Sequence, residues 1–180
     1  MLDFLEAFNP LTALSGLRTF LETGGDVLFI IMIATFFLWA LIVERYWYFW
    51  TAHRGVVKRA IREWTDRSDH KSWYAHKVRE QLVSEVRQAT ENNIGNIKAL
   101  VMVTPLLGLL GTVTGMVEVF DVMAATGSGN ARAMASGVSK ATIPTMAGMV
   151  ASISGLYFST ALDRRSRRAV DRLADELVIE

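Results

Sequence analysis

The sequence predicts an all-α integral membrane protein: three transmembrane helices, with helices extending from them into the cytoplasm. Three apolar runs carry this. Between Lys98 and Glu118 lie 19 uncharged residues, and between Lys140 and Asp163 lie 22 more. Each is close to the ~20 residues that cross a hydrocarbon core of ~30 Å. Val27–Val43 is a third run of 17 residues, at the short limit, which the aromatics beyond Arg45 extend. The chain of 180 residues is 51% hydrophobic, carries a formal charge of +1 and has no cysteine. That excludes disulfides, thiolate chemistry and Cys-based metal sites. The near-neutral balance argues against nucleic acid as a partner, which would call for a basic surface.

In chain order, residues 1–26 read as a periplasmic amphipathic helix lying on the membrane, or else as a mobile terminus. Asn9 suits the N-cap and Pro10 the first helical position. Leu14, Leu17 and Leu21 share a face, and Gly24–Gly25 ends the helix. The acidic first residues give no cleavable signal peptide. Residues 27–50 are the first span, with Trp39, Tyr46, Trp47, Tyr48 and Trp50 as an interfacial belt; lacking a polar stripe, this helix should face lipid. Residues 51–98 form a cytoplasmic helical segment of alternating charge. Its His53, His70 and His76 match no metal spacing and read as surface histidines. Residues 99–117 are the second span and 118–140 a periplasmic connector with a turn signal at Gly127-Ser128-Gly129-Asn130. Residues 141–162 are the third span. Residues 163–180 form a cytoplasmic C-terminal helix, with Leu173 and Leu177 on one face.

The orientation follows from basic residues. The segment Glu44–Lys98 carries 11 Lys/Arg, the N-terminal segment one and the connector two. The positive-inside rule puts the N-terminus and connector outside and the C-terminus inside.

The second and third spans are not plain anchors. Thr104, Gly108, Thr112 and Gly115 recur at helical spacing, beside Gly111. Thr142, Thr145, Gly148, Ser152, Gly155 and Ser159 do the same in the third span, opposite Ile143, Met146, Val150, Ile153 and Tyr157. Small residues at this spacing serve close helix packing; hydroxyls at this spacing also suit a narrow polar path. Thr112 lies six residues before Glu118, and Thr145 five after Lys140. In an antiparallel hairpin both hydroxyls sit roughly 7–9 Å inside the outer boundary, with Glu118 and Lys140 level at its mouth. Pro105 and Pro144 each free a backbone carbonyl, tolerable where a neighbouring helix satisfies it. Neither of these two spans holds Asp, Glu, His, Lys or Arg, the groups that relay protons through membranes. A titrating group for such a path would have to come from another chain.

The runs Thr104–Met116, TPLLGLLGTVTGM, and Gly137–Gly148, GVSKATIPTMAG, resemble the second and third transmembrane helices of the MotA/TolQ/ExbB proton channel family. The wording SKATIPTMAGMVASISG most resembles the short ExbB of second TonB systems, and the short chain favours ExbB over MotA. Lys140 stands where the family often has Glu, and Ser152-Ile153-Ser154 follows Ala151 where a proline is common. The resemblance implies a proton pathway through Thr112 and Thr145. The stripes themselves put Thr104, Gly108, Gly115, Thr142, Gly148 and Ser152 along such a path, and the hairpin depths put Glu118 and Lys140 at its mouth. The resemblance also implies an inner-membrane homo-oligomer, a pentamer, working with an ExbD-like single-span protein that carries a membrane aspartate, with TonB, and among membrane lipids. No cofactor, metal site or enzymatic activity is implied. The alternatives are a TolQ-like subunit of a Tol-Pal system and a membrane scaffold that transduces nothing; the scaffold would need the small residues but not the hydroxyls.

Overall fold

A computed structural model of the chain describes residues 10–126 and 131–177. Five helices follow in order: α1, Pro10–Thr51; α2, His53–Thr65; α3, Trp73–Glu91; α4, Ile94–Thr126; and α5, Ala131–Glu176. There is no strand among the described residues. Three helical stretches are long and apolar enough to cross a membrane, within Gly24–Thr51, Trp73–Ala125 and Met134–Glu176. The chain is an all-α, three-span membrane protein.

α1 is two helical segments meeting at Gly25, whose φ of 66° and ψ of −166° are open to glycine and strained for other residues. The side chains of Leu14, Leu17 and Leu21, the Asn9 cap and the turn at residues 127–130 lie outside the described residues. Beyond Gly25 one stripe of α1, including Leu28, Ile31, Leu38 and Ile42, is at most 2% exposed. Phe29, Phe36 and Val43 point outward at 55–70% exposure, as a lipid-facing surface requires. α4 reaches Thr126 and α5 starts at Ala131, so both ends of the segment 118–140 are helical.

Packing divides the chain into two units, residues 1–36 with 100–153, and residues 37–99 with 154–180. The first contains the hairpin of α4 and α5 described below. The second is a helical bundle around Ala60 and Trp64 of α2, Ala75, Leu82 and Val86 of α3, and Leu173 and Leu177. Fully burying side chains such as Leu82 and Leu173 contributes ~1.5–3 kcal/mol each. Its helix ends are closed by specific groups. Ser72 has extended backbone and its Oγ accepts from the Ala75 amide at 3.1 Å, while Asp69 accepts from the Ser72 amide and hydroxyl. These donors hold the Asp69 carboxyl below its usual pKa. Arg79 donates to the carbonyls of Ala174 and Leu177, both at 2.7 Å, taking up groups that the end of α5 leaves without helical partners. Asn93, at φ 60°, makes the bend between α3 and α4, a left-handed conformation that asparagine tolerates.

Two histidines expected on the surface are built into this bundle. His70 Nε2 lies 3.1 Å from the Trp64 carbonyl and its ring meets the Trp64 indole edge-on at 4.9 Å. His53 is half-buried with its ring 5.4 Å from Phe49. Only His76 is exposed. No group of three metal-ligating side chains occurs among the described residues.

Candidate functional site

The seam between α4 and α5 is built from residues with little or no side chain. On α4 Val101, Thr104, Gly108, Gly111 and Val119 are buried; on α5 Ala141, Pro144, Gly148 and Ala151 are buried. A methyl group at Gly108 would come within 2.9 Å of Thr145 Cα, and one at Gly148 within 2.8 Å of the Thr104 carbonyl. One at Gly115 would meet Ala141 Cβ at 2.6 Å, and Gly111 faces Pro144 in the same way. The backbones touch because no Cβ separates them, as small residues allow in lipid. Thr104, Gly108 and Gly148, expected along a pore, therefore lie inside the seam of a single chain. Gly115 and Ser152 are half-buried at its margin and Thr142 is exposed.

Side-chain hydroxyls cross the seam. Thr145 Oγ1 donates to the Gly108 carbonyl at 2.8 Å, and Ser152 Oγ to the Val101 carbonyl at 2.9 Å. The second contact has a specific cause. Pro105 has no N–H, so the helical bond it would make to the carbonyl four residues back, that of Val101, is missing. Ser152 supplies the donor from the opposite helix. Other hydroxyls turn to their own helix: Thr104 donates to Leu100 at 2.6 Å, Thr112 to Leu109 at 2.7 Å and Thr142 to Ser139 at 2.8 Å.

Thr112 and Thr145 thus bond to successive carbonyls of α4, those of Leu109 and Gly108. Successive residues rise ~1.5 Å along a helix, so the two acceptors share one level. Both threonines are half-buried. With each O–H already donated to backbone, what both offer a visitor is oxygen lone pairs. At the end of the hairpin near residues 127–130 Lys140 Nζ lies 3.4 Å from Glu118 Oε2, with 42% and 66% of the side chains exposed. Such exposed pairs contribute ~0–1 kcal/mol. No Asp, Glu, His, Lys or Arg lies within residues 99–117 or 141–162.

The structure also gives weight to charged residues that periodicity did not single out. Arg45, 4% exposed at its side chain, pairs with Glu44 through Nε and Nη2 at 3.1 and 2.7 Å. It donates to the Ala89 carbonyl at 3.2 Å and lies over the Tyr48 ring at 4.9 Å. Asn93 donates to the same Glu44 carboxylate at 3.2 Å, so one buried cation ties α1 to the bend between α3 and α4. The signal in the sequence was a Glu-Arg pair at the end of an apolar run with Tyr three residues on. Lys98 and Asp163, which flank the second and third spans, pair at 2.8 Å, and Arg167 joins at 3.2 Å.

Similarity to known proteins covers this part of the chain. A model of the MotA/TolQ/ExbB proton channel family matches residues 51–175. The chain is 38% identical over 64 residues to a biopolymer transport protein, ExbB-like 3, of Synechocystis sp. (34% of this chain, 30% of that protein). It is 36% identical over 81 residues to the ExbB-like 1 protein of the same organism (43% and 32%). It is 30% identical over 96 residues to the biopolymer transport protein exbB1 of Vibrio cholerae (53% and 42%). The matches span under half the length of these relatives. With the family model covering well over half of the sequence, including both helices of the hairpin, the chain belongs to the MotA/TolQ/ExbB proton channel family.

Proposed function

We propose that this chain is the inner-membrane channel and stator subunit of an energy-transducing complex of the TonB–ExbB–ExbD type. In this reading five copies surround a single-span partner whose membrane aspartate supplies the missing titratable group. The N-terminus and residues 118–140 face the periplasm; residues 51–98 and 163–180 face the cytoplasm. Proton flow shifts the assembly, and the movement reaches TonB and outer-membrane transport.

The observation that carries this reading is the shared level of the Thr112 and Thr145 hydroxyls on successive carbonyls. A protonated partner carboxyl can donate to their lone pairs as they stand. An ionised carboxylate needs a donor, so a hydroxyl must first leave its backbone carbonyl. The two protonation states are held differently, and only such a difference lets protonation move an equilibrium. Partial desolvation beside the threonines raises the acid's pKa, so it can bind a proton at physiological pH. Thr142 extends the hydroxyl edge outward and Ser152 extends it inward. Thr104, Gly108, Gly115 and Gly148 let the helices close behind the path, and Glu118 and Lys140 shape the field at its mouth. The test is energised transport in cells. Thr112→Val and Thr145→Val keep size and remove the hydroxyl; transport is lost while the complex still assembles. Transport at wild-type level in both variants would refute the reading.

One observation favours a scaffold that transduces nothing. The glycines are already accounted for by contacts inside one hairpin, so small residues alone do not require a pore. Thr112→Val decides between the two, because the Thr112 hydroxyl bonds only its own helix and a scaffold tolerates its loss, whereas Thr145→Val also removes a bond across the seam.

A further inference from the structure

The backbone runs from α1 into α2 with little break: the Ala52 amide bonds to the Tyr48 carbonyl at 3.0 Å and the Val56 amide to the Ala52 carbonyl at 3.2 Å. Helical spacing therefore carries across the junction, and Trp47, Trp50, Arg54, Lys58 and Arg62 fall on one face. That face is turned outward. Trp47 is 66% and Trp50 80% exposed, and Arg54, Lys58, Arg59 and Arg62 are all exposed. The opposite side of α2 holds the bundle, through Ala60 and Trp64. None of the four cations takes part in an ion pair among the described residues.

We propose that this stripe is a binding site for anionic phospholipid headgroups, with the two indoles at the acyl–headgroup boundary and Arg54 and Lys58 on the lipid phosphates. The proposal goes beyond the proton path and requires only that α1 crosses a membrane. Two independent features support it. A merely solvated charged face has no use for two largely exposed tryptophans, whereas Trp at a membrane interface is stable with one edge apolar and one wet. The spacing also fits. Arg54 lies ~6 Å along the helix beyond Trp50, and Lys58 ~12 Å beyond it. The headgroup region adds roughly 5–7 Å to each side of the hydrocarbon core. Helical side chains lean toward the N-terminus, here back toward the membrane, and long cationic stems reach further still. Both cations therefore come to the phosphate level.

The test is native mass spectrometry of the full chain in detergent with added phosphatidylglycerol or phosphatidylcholine. Wild type retains phosphatidylglycerol in preference. Arg54→Gln with Lys58→Gln lowers that preference roughly tenfold or more, taking each cation near the surface as worth about fivefold. Arg54→Lys with Lys58→Arg keeps it. Lys71→Gln with Arg87→Gln, an equal charge loss elsewhere on the same loop, also keeps it. Undiminished preference in the first double variant overturns the proposal. So does an equal loss in the Lys71/Arg87 variant, which would mean bulk charge only. Displacement of the lipid by millimolar inorganic phosphate would assign the stripe to a soluble anion and overturn it as well.

Discussion

Ser152 and Pro105 show how far single residues determine the seam. The proline removes an amide, the Val101 carbonyl loses its helical donor, and a serine from the opposite helix replaces it at 2.9 Å. Ser152→Ala should destabilise the hairpin by ~1 kcal/mol, within the range of interhelical hydrogen bonds in membranes. In a Pro105→Ala background the helical amide returns and the same change should cost little, so unfolding of the four variants in detergent should show clear coupling. The sequence identified the prolines and the hydroxyls but not their pairing, which depends on which residues face across the seam. His53 and His70 were misread for a related reason, while His76 is exposed as expected: whether a His is exposed depends on the packing of distant segments. Burial, and then the Arg165 charge, lower the His53 pKa from its ordinary 6.5. Above pH 6.5 the ring is neutral both folded and unfolded, and its contribution to stability is intact. As pH falls below 6.5 the unfolded chain takes up the proton first, so stability declines until the folded ring protonates too. Thermal unfolding followed by circular dichroism should become less favourable to the fold over that window, and His53→Gln should flatten this slope.

At the scale of the helix, the spans and their apolar stripes were legible because periodicity is a local property. The phase of the seam was not. Neighbouring residues on a helix differ by about 100°, and both Gly111 and Thr112 belong to plausible stripes. Packing chose Gly111, which faces Pro144, and left Thr112 half-buried beside it. That choice separates a packing surface from a hydroxyl edge on the same helix. The end of α5 shows a second limit, since Leu173 and Leu177 were readable as one face but their cap was not. Arg79 closes it from 95 and 98 residues away. Arg79→Ala should lower the stability of the bundle by ~1–2 kcal/mol, because the hydrogen bonds are charge-assisted yet partly wet. Hydrogen exchange at residues 170–177 should speed up, with little change in the α4–α5 hairpin.

For the molecule as a whole, three spans, a charged segment and a helical tail followed from composition and spacing, and the family resemblance from two runs in the second and third spans. Burial of Arg45 was not legible, because it needs Ala89 and Asn93 brought beside it. The Glu118–Lys140 pair gives a prediction at this scale. Each single charge reversal should barely change stability, since both groups are exposed, but should reduce transport by altering the field at the mouth. The swapped double variant, Glu118→Lys with Lys140→Glu, should recover part of that loss; transport no better than in either single variant would mean that the two do not interact. The central claim is that the hydroxyls of Thr112 and Thr145 form a path whose titrating acid comes from a second chain. Its most direct test is proton flux into liposomes containing this chain alone, this chain with its single-span partner, and the complex bearing Thr112→Val. Slow flux from the chain alone, fast flux with the partner and slow flux again in the variant complex are the predicted results. Fast flux from the chain alone, unchanged by Thr112→Val, would contradict it.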